Sequence, residues 1–164
     1  MIAPDYQIRE AGPEDCAMLL AMTRELADYE GLTHQVVASP ERISESLFGP
    51  RPAAFCLLAE DAAGVAGFAV WYPSYSTFEG LPGMFIEDVY VRPTHRRRGL
   101  GRAFVQALAG ICVDRSLTRL EWRLLDWNAP ADAFFETLGA VSTRDWRFGR
   151  LSAPQIASLA QEGS

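Results

Sequence analysis

The sequence has few of the features that define several large classes of protein. None of its apolar runs approaches the ~20 residues that a membrane-spanning helix requires. The first five residues lack the basic and then apolar order of a secretion signal. We therefore expect a cytoplasmic protein with no membrane partner.

Cysteine and histidine are also scarce. Two histidines, His34 and His95, are too few for a histidine-rich metal site, and no cysteine has a second ligand at metal-binding spacing. The cysteines are odd in number, lie far apart and stand among apolar residues, so we expect them to be small core residues. They are Cys16, Cys56 and Cys112. The sequence thus predicts no metal.

Positive charge is outweighed by negative charge, and the net charge at pH 7 is −6. Broad nucleic-acid binding needs a basic surface that neutralises phosphates, so we expect no nucleic-acid partner. Against this acidic background, the run of arginines from Arg96 to Arg98, with Arg102 close behind, stands out.

The chain reads as one domain spanning residues 1–164. About half of its 164 residues are hydrophobic, and it has no repeat and no linker long enough to divide it. Periodicity and turn residues predict the order βααβββαβαβ with a tail helix, a mixed α/β sheet flanked by helices. The expected strands are residues 6–10, 54–60, 65–72, 84–91, 119–125 and 141–151, the expected helices begin near residues 12, 39, 96, 128 and 152, and residues 73–83 are expected to form a loop.

The most informative segment is a basic turn between a strand and a helix. Val89 to Val91 ends a strand, the arginines follow, and Gly99 and Gly101 stand where an amphipathic helix begins. A helix N-terminus presents unpaired N–H groups and a partial positive charge. Glycine lets the backbone approach a ligand closely. The turn therefore predicts a pyrophosphate site, with the arginines at its rim.

Two common phosphate motifs do not fit this turn. No Gly-Lys-Ser/Thr follows, which excludes a P-loop, and the third glycine of a dinucleotide fingerprint is missing. Gly-Leu-Gly alone is also compatible with a plain tight turn, and three arginines alone with a solvated surface.

The pattern Arg96-x-x-Gly99-x-Gly101 resembles the acetyl-coenzyme A motif of the GNAT superfamily of N-acetyltransferases. The resemblance extends over nearly the whole chain. It is strongest to the spermidine/spermine (diamine) and thialysine N-acetyltransferases, through the segments 26–30, 85–91 and 125–128. Residues 75–78 and 125–128 lean toward the thialysine branch.

This resemblance implies a mostly antiparallel sheet with a V-shaped splay between the fourth and fifth strands, which admits the pantetheine arm. It also implies acetyl-coenzyme A as co-substrate and a homodimer, to which the tail helix with Ile156 and Leu159 is suited. The implied coenzyme-binding residues are Val89, Val91, Arg96, Arg97, Arg98, Gly99, Leu100, Gly101, Arg102, Asn128 and Phe135.

Acetyl transfer requires a base for the substrate ammonium, whose pKa lies near ~10, and a donor for the oxyanion. Glu87 is the candidate base, as a partly desolvated carboxylate on the same strand face as Val89. The alternative is an ion-pair or cation-binding role. Asp88 points to the opposite face in an ideal strand, but the resemblance implies a bulge here. It also implies that Asp88 binds the cationic substrate and that the Val89 N–H binds the acetyl oxygen.

The resemblance also exposes a departure from the family pattern. Many members carry a tyrosine as general acid for the thiolate, and that position here is Phe135, counted from Asn128. Phenylalanine has no proton to give, although a thiolate near pKa ~8.5 is a tolerable leaving group. Phe135 is alternatively a core residue, and Asn128 a plain helix N-cap.

The acceptor site is implied at the end of the first helix. Tyr29 and Glu30 match residues that line it in the subgroup, and Glu30 with Glu87 and Asp88 makes it acidic. The alternative for Glu30 is a solvated helix end. Where polyamine enzymes have a further acid, this chain has Ser76, which favours a shorter amine such as thialysine over a long polycation.

The leading hypothesis is an N-acetyltransferase for a small cationic amine. The alternatives are an acetyl-coenzyme A-binding module with weak catalysis, which Phe135 favours, and a protein or peptide acetyltransferase, which the acidic cluster disfavours.

Overall fold

The computed structural model describes residues 6–143 and 147–162. The chain divides into two units, Met1–Arg123 and Leu124–Ser164. Within its described residues, the first unit contains five strands and three α-helices: β1 (Gln7–Glu10), α1 (Cys16–Glu30), α2 (Pro40–Phe48), β2 (Phe55–Asp61), β3 (Gly64–Ser76), β4 (Leu81–Val91), α3 (Leu100–Asp114) and β5 (Leu120–Trp122).

The five strands form one sheet in the order β1-β2-β3-β4-β5. The first four pair antiparallel, and β5 runs parallel to β4. Parallel neighbours need a crossover connection, and α3 supplies it. This arrangement confirms the predicted mixed α/β fold with a mostly antiparallel sheet flanked by helices.

The junction of β4 and β5 is short. The two strands pair only from Met84 opposite Leu120 to Ile86 opposite Trp122. β4 continues to Val91, whereas β5 ends at Trp122. Among the described residues, the second half of β4 therefore has no registered partner on this side, as the expected splay requires.

The helices of the first unit begin and end where the local sequence allows it. Ser39 caps α2 by accepting from the Arg42 N–H at 3.3 Å, and Pro40 occupies the first turn. Gly31 ends α1 in the left-handed conformation, with φ of 72°. The start of α2 agrees with the helix start predicted near residue 39.

Each face of the sheet carries its own apolar cluster. The first cluster joins β2, β3 and β4 to α3, through fully buried residues such as Trp71, Met84 and Phe104. The second joins the opposite face to α1 and α2, through Met22, Leu58 and others. The three cysteines are buried and free, as predicted.

The predicted loop at 73–83 is wrong, because β3 and β4 extend through it as a long hairpin. Ser74 pairs with Gly83 and Ser76 with Leu81. Pro73 lacks an N–H, but beyond Trp71 the strand has no registered β2 partner, so Pro73 lies at an edge where proline is tolerated.

Two other strand predictions differ from the structure. β5 covers three residues rather than the predicted 119–125. The described residues of the predicted strand 141–151, which are 141–143 and 147–151, contain no strand. Val141 and Phe148 are 86% and 65% exposed, so this apolar pattern does not mark a buried face. Residues 144–146, and residues 1–5 of the secretion-signal prediction, lie outside the described residues.

The second unit contains two helices, α4 (Ala129–Glu136) and α5 (Ala153–Gln161). Ser152 is the N-cap of α5, and its N–H donates to Gln155 Oε1 at 2.7 Å. Ile156 and Leu159 on α5 are 56% and 58% exposed. Across both units, no helix of the described residues combines the length and apolarity needed to cross a membrane.

Candidate active site

The turn between β4 and α3 has the open geometry expected of an anion site. Gly99 is the N-cap of the 15-residue helix α3 and is left-handed, with φ of 81°. A Cβ placed on Gly99 would meet no atom within 4 Å. A ligand can therefore approach the first N–H groups of α3 from the solvent side.

The predicted coenzyme residues around this turn differ in what they can offer. Arg97, Arg98 and Arg102 are exposed, so their guanidinium groups can reach an anion. Leu100 is 2% exposed and belongs to the first apolar cluster, so its side chain is a core group and only its backbone faces the turn. Val91 also packs against this cluster.

Arg96 has a different environment from the other arginines of the run. Its Nε donates to the Val91 carbonyl oxygen at 2.9 Å, and its guanidinium lies 4.9 Å from the centre of the Tyr29 ring. Tyr29 is 44% exposed at the end of α1. Arg96 therefore links the basic turn to α1, a contact between distant residues that the sequence motif does not predict.

A bulge in β4 lies at the predicted catalytic residues. Val70 of β3 is opposite Asp88, and Trp71 is opposite Ile86, so Glu87 is an extra residue without an opposite partner. The bulge implied by the resemblance is thus confirmed. It interrupts the alternation of side chains along the strand.

The bulge overturns the predicted orientation of Glu87. Ile86 and Val89 are three positions apart, so in a regular strand their side chains would face opposite sides of the sheet. Both nevertheless pack in the first apolar cluster, on one side. Glu87 instead lies beside Tyr72 and Arg123. The prediction that Glu87 shares a strand face with Val89 is wrong, because strict alternation does not survive the inserted residue.

Glu87 forms an ion pair that the sequence analysis left open as an alternative. Arg123 Nη2 lies 2.8 Å from Glu87 Oε1 and 3.1 Å from Oε2, and both side chains are 38% exposed. The Arg123 guanidinium also lies 5.6 Å from the centre of the Phe85 ring. Burial, and then the nearby Glu87 carboxylate, raise the pKa of Tyr72.

Asp88 faces a different space from Glu87. It lines a pocket of about 440 Å³ between the end of α1, the segment 32–38 and α2. Glu30 lines the same pocket, and Thr23, Leu26, Gln35 and Arg42 are among the other lining residues. The pocket is therefore a mostly apolar recess whose charged lining residues are two acids and Arg42, and the excess of acids suits a short chain that carries a positive charge.

The two pocket acids have perturbed protonation. Burial raises the pKa of Asp88 to about 6, and the carboxylates of Glu87 and Glu30 add to the shift, while Arg123 opposes it. Burial also raises the pKa of Glu30. A cation entering the pocket would relieve this repulsion, which is the electrostatic property expected of a binding site for an ammonium group.

The remaining predicted site residues lie in the second unit. Asn128 caps α4, and its Oδ1 accepts from the Ala131 N–H at 3.4 Å, as expected of a plain N-cap. Phe135 is 6% exposed, and its ring meets that of Phe134 edge to face at 5.1 Å. Its burial agrees with the core alternative.

Sequence reasoning missed Arg123 and Tyr72 as neighbours of Glu87. The available signal was Arg123 itself, a charged residue in the predicted strand 119–125, since a charged side chain that is not fully exposed needs a partner. The partner lies 36 residues away along the chain. Among the described residues, no group of three or more histidine, cysteine or acidic side chains could hold a metal ion.

Comparison with known proteins identifies the class to which this fold and site belong. The family model described as the Acetyltransferase (GNAT) family matches residues 19–140. The chain belongs to this family and is an acyltransferase enzyme, and GNAT acetyltransferases use acetyl-coenzyme A as co-substrate. This membership favours catalysis over a mere coenzyme-binding module.

Individual relatives are similar over nearly the whole chain. Thialysine N-epsilon-acetyltransferase of Bos taurus is 35% identical, over 93% of this chain and 96% of that protein. L-ornithine N5-acetyltransferase of Arabidopsis thaliana is 28% identical, over 93% and 87%. The solved structure of an integron cassette protein from V. cholerae shares the fold, with a TM-score of 0.79, 22% identity and coverage of 96% and 98%.

Proposed function

We propose that this enzyme transfers the acetyl group of acetyl-coenzyme A to the amine of a small cationic acceptor of the thialysine or diamine type. The observation that carries the proposal is the pocket that Glu30 and Asp88 line, directly beside the bulge that holds Glu87. The relatives named for thialysine and ornithine acetylation support the same acceptor class.

The coenzyme is proposed to bind with its pyrophosphate at the basic turn. The left-handed Gly99, the open space beside it and the exposed arginines support this placement. The residues assigned to it are Val89, Val91, Arg96, Arg97, Arg98, Gly99, Leu100, Gly101 and Arg102, with Leu100 acting through its backbone. For Asn128 and Phe135, the support is the sequence resemblance alone.

Glu87 is proposed as the base. It takes a proton from the acceptor ammonium through an ordered water, and the neutral nitrogen attacks the thioester carbonyl carbon. A C–N bond forms, the nitrogen gives up its second proton to water, the C–S bond breaks, and coenzyme A leaves as a thiolate that takes a proton from solvent. The location of Glu87 at the bulge supports this role, because bulges re-aim side chains at active sites.

The Val89 N–H is proposed to bind the oxyanion of the tetrahedral intermediate. Val89 follows the bulge and lies beyond Ile86, the last β4 residue that pairs with β5. Backbone donors aimed at a developing oxyanion stabilise the transition state strongly, since they need no reorganisation during the reaction.

Tyr29, Glu30, Glu87 and Asp88 are proposed to bind the acceptor. The negative charge of the three acids supports their assignment, since it attracts a cationic acceptor. Tyr29 is included because it lies one residue before Glu30. Ser76 is buried, and its hydroxyl accepts from the Glu79 N–H at 3.2 Å within the β3–β4 turn. Ser76 has no carboxylate for a further ammonium, which supports a preference for acceptors shorter than long polycations.

We further propose that residues 1–164 form a single N-acetyltransferase domain and that the protein acts as a cytoplasmic homodimer without metal or nucleic acid. The extent of the match to the relatives supports one domain. The exposed Ile156 and Leu159 of α5 support a contact between copies.

The experiment that tests the proposed function is the release of coenzyme A from acetyl-coenzyme A in the presence of thialysine, lysine, ornithine, putrescine, spermidine or a histone-like peptide. We expect turnover above the amine-free rate with at least one of the small amines and none with the peptide. Turnover on the peptide alone would support a protein acetyltransferase. No turnover on any small amine, with coenzyme binding shown by calorimetry, would overturn the proposal.

A further inference from the structure

One face of α1 contacts the segment that leads from β4 into the basic turn. Met18, Glu25 and Tyr29 are spaced seven and four residues apart, which places them on the same side of the helix. Glu25 forms an ion pair with Arg92, and Arg92 Nη2 lies 3.5 Å from the sulfur of Met18. Tyr29 reaches Arg96, whose guanidinium lies over its ring, 4.9 Å from the ring centre. This face of α1 therefore contacts both ends of the segment.

Tyr29 and Glu30 point in different directions at the end of α1. The residues of α1 that line the acceptor pocket are Thr23, Leu26, Ala27 and Glu30, and Tyr29 is not among the described residues that line it. Neighbouring residues of an α-helix point about 100° apart. Glu30 is thus directed into the pocket, whereas the ring of Tyr29 is directed at the basic turn.

Arg96 is held by two contacts where the basic turn begins. Its Nε donates to the Val91 carbonyl oxygen at 2.9 Å, and the Tyr29 ring covers one face of its guanidinium. The next residue, Arg97, is left-handed with φ of 61°, a strained conformation that persists where surrounding contacts fix it. Neither contact of Arg96 takes a hydrogen bond from its Nη groups, which can donate to a phosphate while the ring covers the face.

We propose that Tyr29 is a positioning residue for acetyl-coenzyme A, because its ring holds the Arg96 guanidinium at the rim of the turn where the pyrophosphate is proposed to bind. This inference rests on the proposed coenzyme site and adds to the acceptor role proposed for Tyr29. An aromatic ring attracts a cation over its face. A guanidinium that is already oriented loses less side-chain freedom when the phosphate binds, which strengthens binding.

Calorimetry of acetyl-coenzyme A binding in the absence of an amine tests the inference. Tyr29→Leu should raise the Kd about two- to fivefold, the size of a cation–π contact at an exposed site. Tyr29→Phe keeps the ring face and should retain most of the wild-type affinity. Adding Tyr29→Leu to Arg96→Met should raise the Kd no further than Arg96→Met alone, because both substitutions remove the same contact.

Two controls separate this contact from general effects of removing a tyrosine. Tyr75→Leu removes a tyrosine of β3 that is 67% exposed, and it should leave the Kd of the coenzyme unchanged. Tyr29→Met repeats the measurement if the leucine variant does not fold, as judged by circular dichroism.

The outcomes distinguish this inference from the proposed function. A higher Kd in Tyr29→Leu that is absent from Tyr29→Phe and from the Arg96→Met background supports the inference. An unchanged Kd in Tyr29→Leu with a higher KM for the amine would overturn it, since Tyr29 would then act at the acceptor alone, and would leave the proposed function intact. An equal loss of affinity in Tyr29→Phe would also overturn it, since the hydroxyl would then be responsible. Absence of turnover on every amine would overturn the proposed function, whereas the calorimetry needs no amine and still decides the inference.

Discussion

Glu25 of α1 and Arg92, the residue after β4, form a two-pronged ion pair. Arg92 Nη2 donates to Glu25 Oε1 at 2.8 Å, and Arg92 Nε donates to Oε2 at 3.1 Å. Tyr90 also donates to Glu25 Oε2 at 3.1 Å, and Arg92 Nη1 donates to the Val65 carbonyl oxygen at 2.8 Å. The network connects α1, which borders the pocket lined by Glu30 and Asp88, to the strand that leads into the basic turn.

Glu25→Gln should lower the free energy of unfolding by ~1–2 kcal/mol at pH 7, because it leaves Arg92 without its counter-charge in a partly buried site. Hydrogen bonding to Arg92 holds the pKa of Glu25 below its usual value, so the pair's contribution is present above about pH 4.5 and is lost as the pH falls further. Urea unfolding at pH 7 and pH 4 measures both effects.

Glu79→Gln is the matched control for Glu25→Gln. Glu79 pairs with Arg119 at 2.9 Å and its side chain is about as exposed as that of Glu25, 39% against 36%, but it does not connect α1 to the sheet. We expect a loss below ~1 kcal/mol for Glu79→Gln. Equal losses from the two variants would contradict a special role for the Glu25 network.

Glu87→Gln should reduce kcat by about 10²- to 10⁴-fold, the usual contribution of a positioned base, while leaving the Kd of acetyl-coenzyme A nearly unchanged. The amide keeps the size of the side chain and accepts a hydrogen bond from Arg123, but it cannot take the proton. Steady-state kinetics with the best amine, together with calorimetry of the coenzyme, provide the measurement.

Glu121→Gln serves as the control for Glu87→Gln, since Glu121 lies in β5 and is exposed near Arg119 at 3.7 Å. It should retain wild-type kcat. Normal activity of Glu87→Gln at neutral pH would contradict the assignment of Glu87 as base.

The general plan of the fold was predictable because it depends on local signals. Caps such as Ser39 and turn residues such as Gly31 mark helix ends. Apolar periodicity marks the buried faces of helices and strands. The hairpin at 73–83 was missed because Pro73, Pro82 and the glycines read as a loop, whereas edge positions tolerate proline.

The location of the candidate site in the sequence was predictable, but its geometry was not. The segment that holds Glu87 and Asp88 was identified by resemblance, and so was the bulge. The face on which Glu87 lies depends on the pairing between β3 and β4. The proximity of Arg123 to Glu87 depends on the pairing between β4 and β5. Such contacts between distant residues leave no periodic signal in a single sequence.

Asp88→Asn should stabilise the protein above pH 6 relative to the wild type and have little effect at pH 4. Burial and the neighbouring acids raise the pKa of Asp88 to about 6, so the folded state binds more protons than the unfolded state between pH 4 and pH 6. The stability of the wild type therefore falls as the pH rises through this window, and asparagine removes that loss. Thermal melts across pH 4 to 8 measure the difference.

Asp15→Asn provides a control of opposite sign for the pH experiment. Hydrogen bonding to Arg9, at 2.7 Å, lowers the pKa of the buried Asp15. Its replacement should destabilise the protein most at neutral pH and least in acid. A pH-independent effect of Asp88→Asn would contradict the raised pKa.

Phe135→Tyr should raise kcat by supplying the acid that the family pattern places at this position. The new hydroxyl requires a hydrogen-bonding partner because Phe135 is 6% exposed, so the gain is expected only if the hydroxyl meets the leaving thiolate or water. Phe134→Tyr adds the same hydroxyl to the ring beside it and should leave kcat unchanged. An unchanged kcat in Phe135→Tyr would show that solvent already protonates the thiolate fast enough.

Gly99→Asp should weaken the binding of acetyl-coenzyme A by at least tenfold. The substitution places a carboxylate in the open space where the pyrophosphate is proposed to lie, and it strains a left-handed residue with φ of 81°. Gly80→Asp is the matched control. Gly80 is also left-handed, with φ of 68°, and also has open space around it. It lies in the β3–β4 turn and not at the proposed pyrophosphate site. Each variant should lose ~1 kcal/mol of stability through backbone strain, whereas only Gly99→Asp should raise the Kd of the coenzyme in calorimetry. Equal coenzyme affinity in the two variants would contradict the placement of the pyrophosphate at the N-terminus of α3.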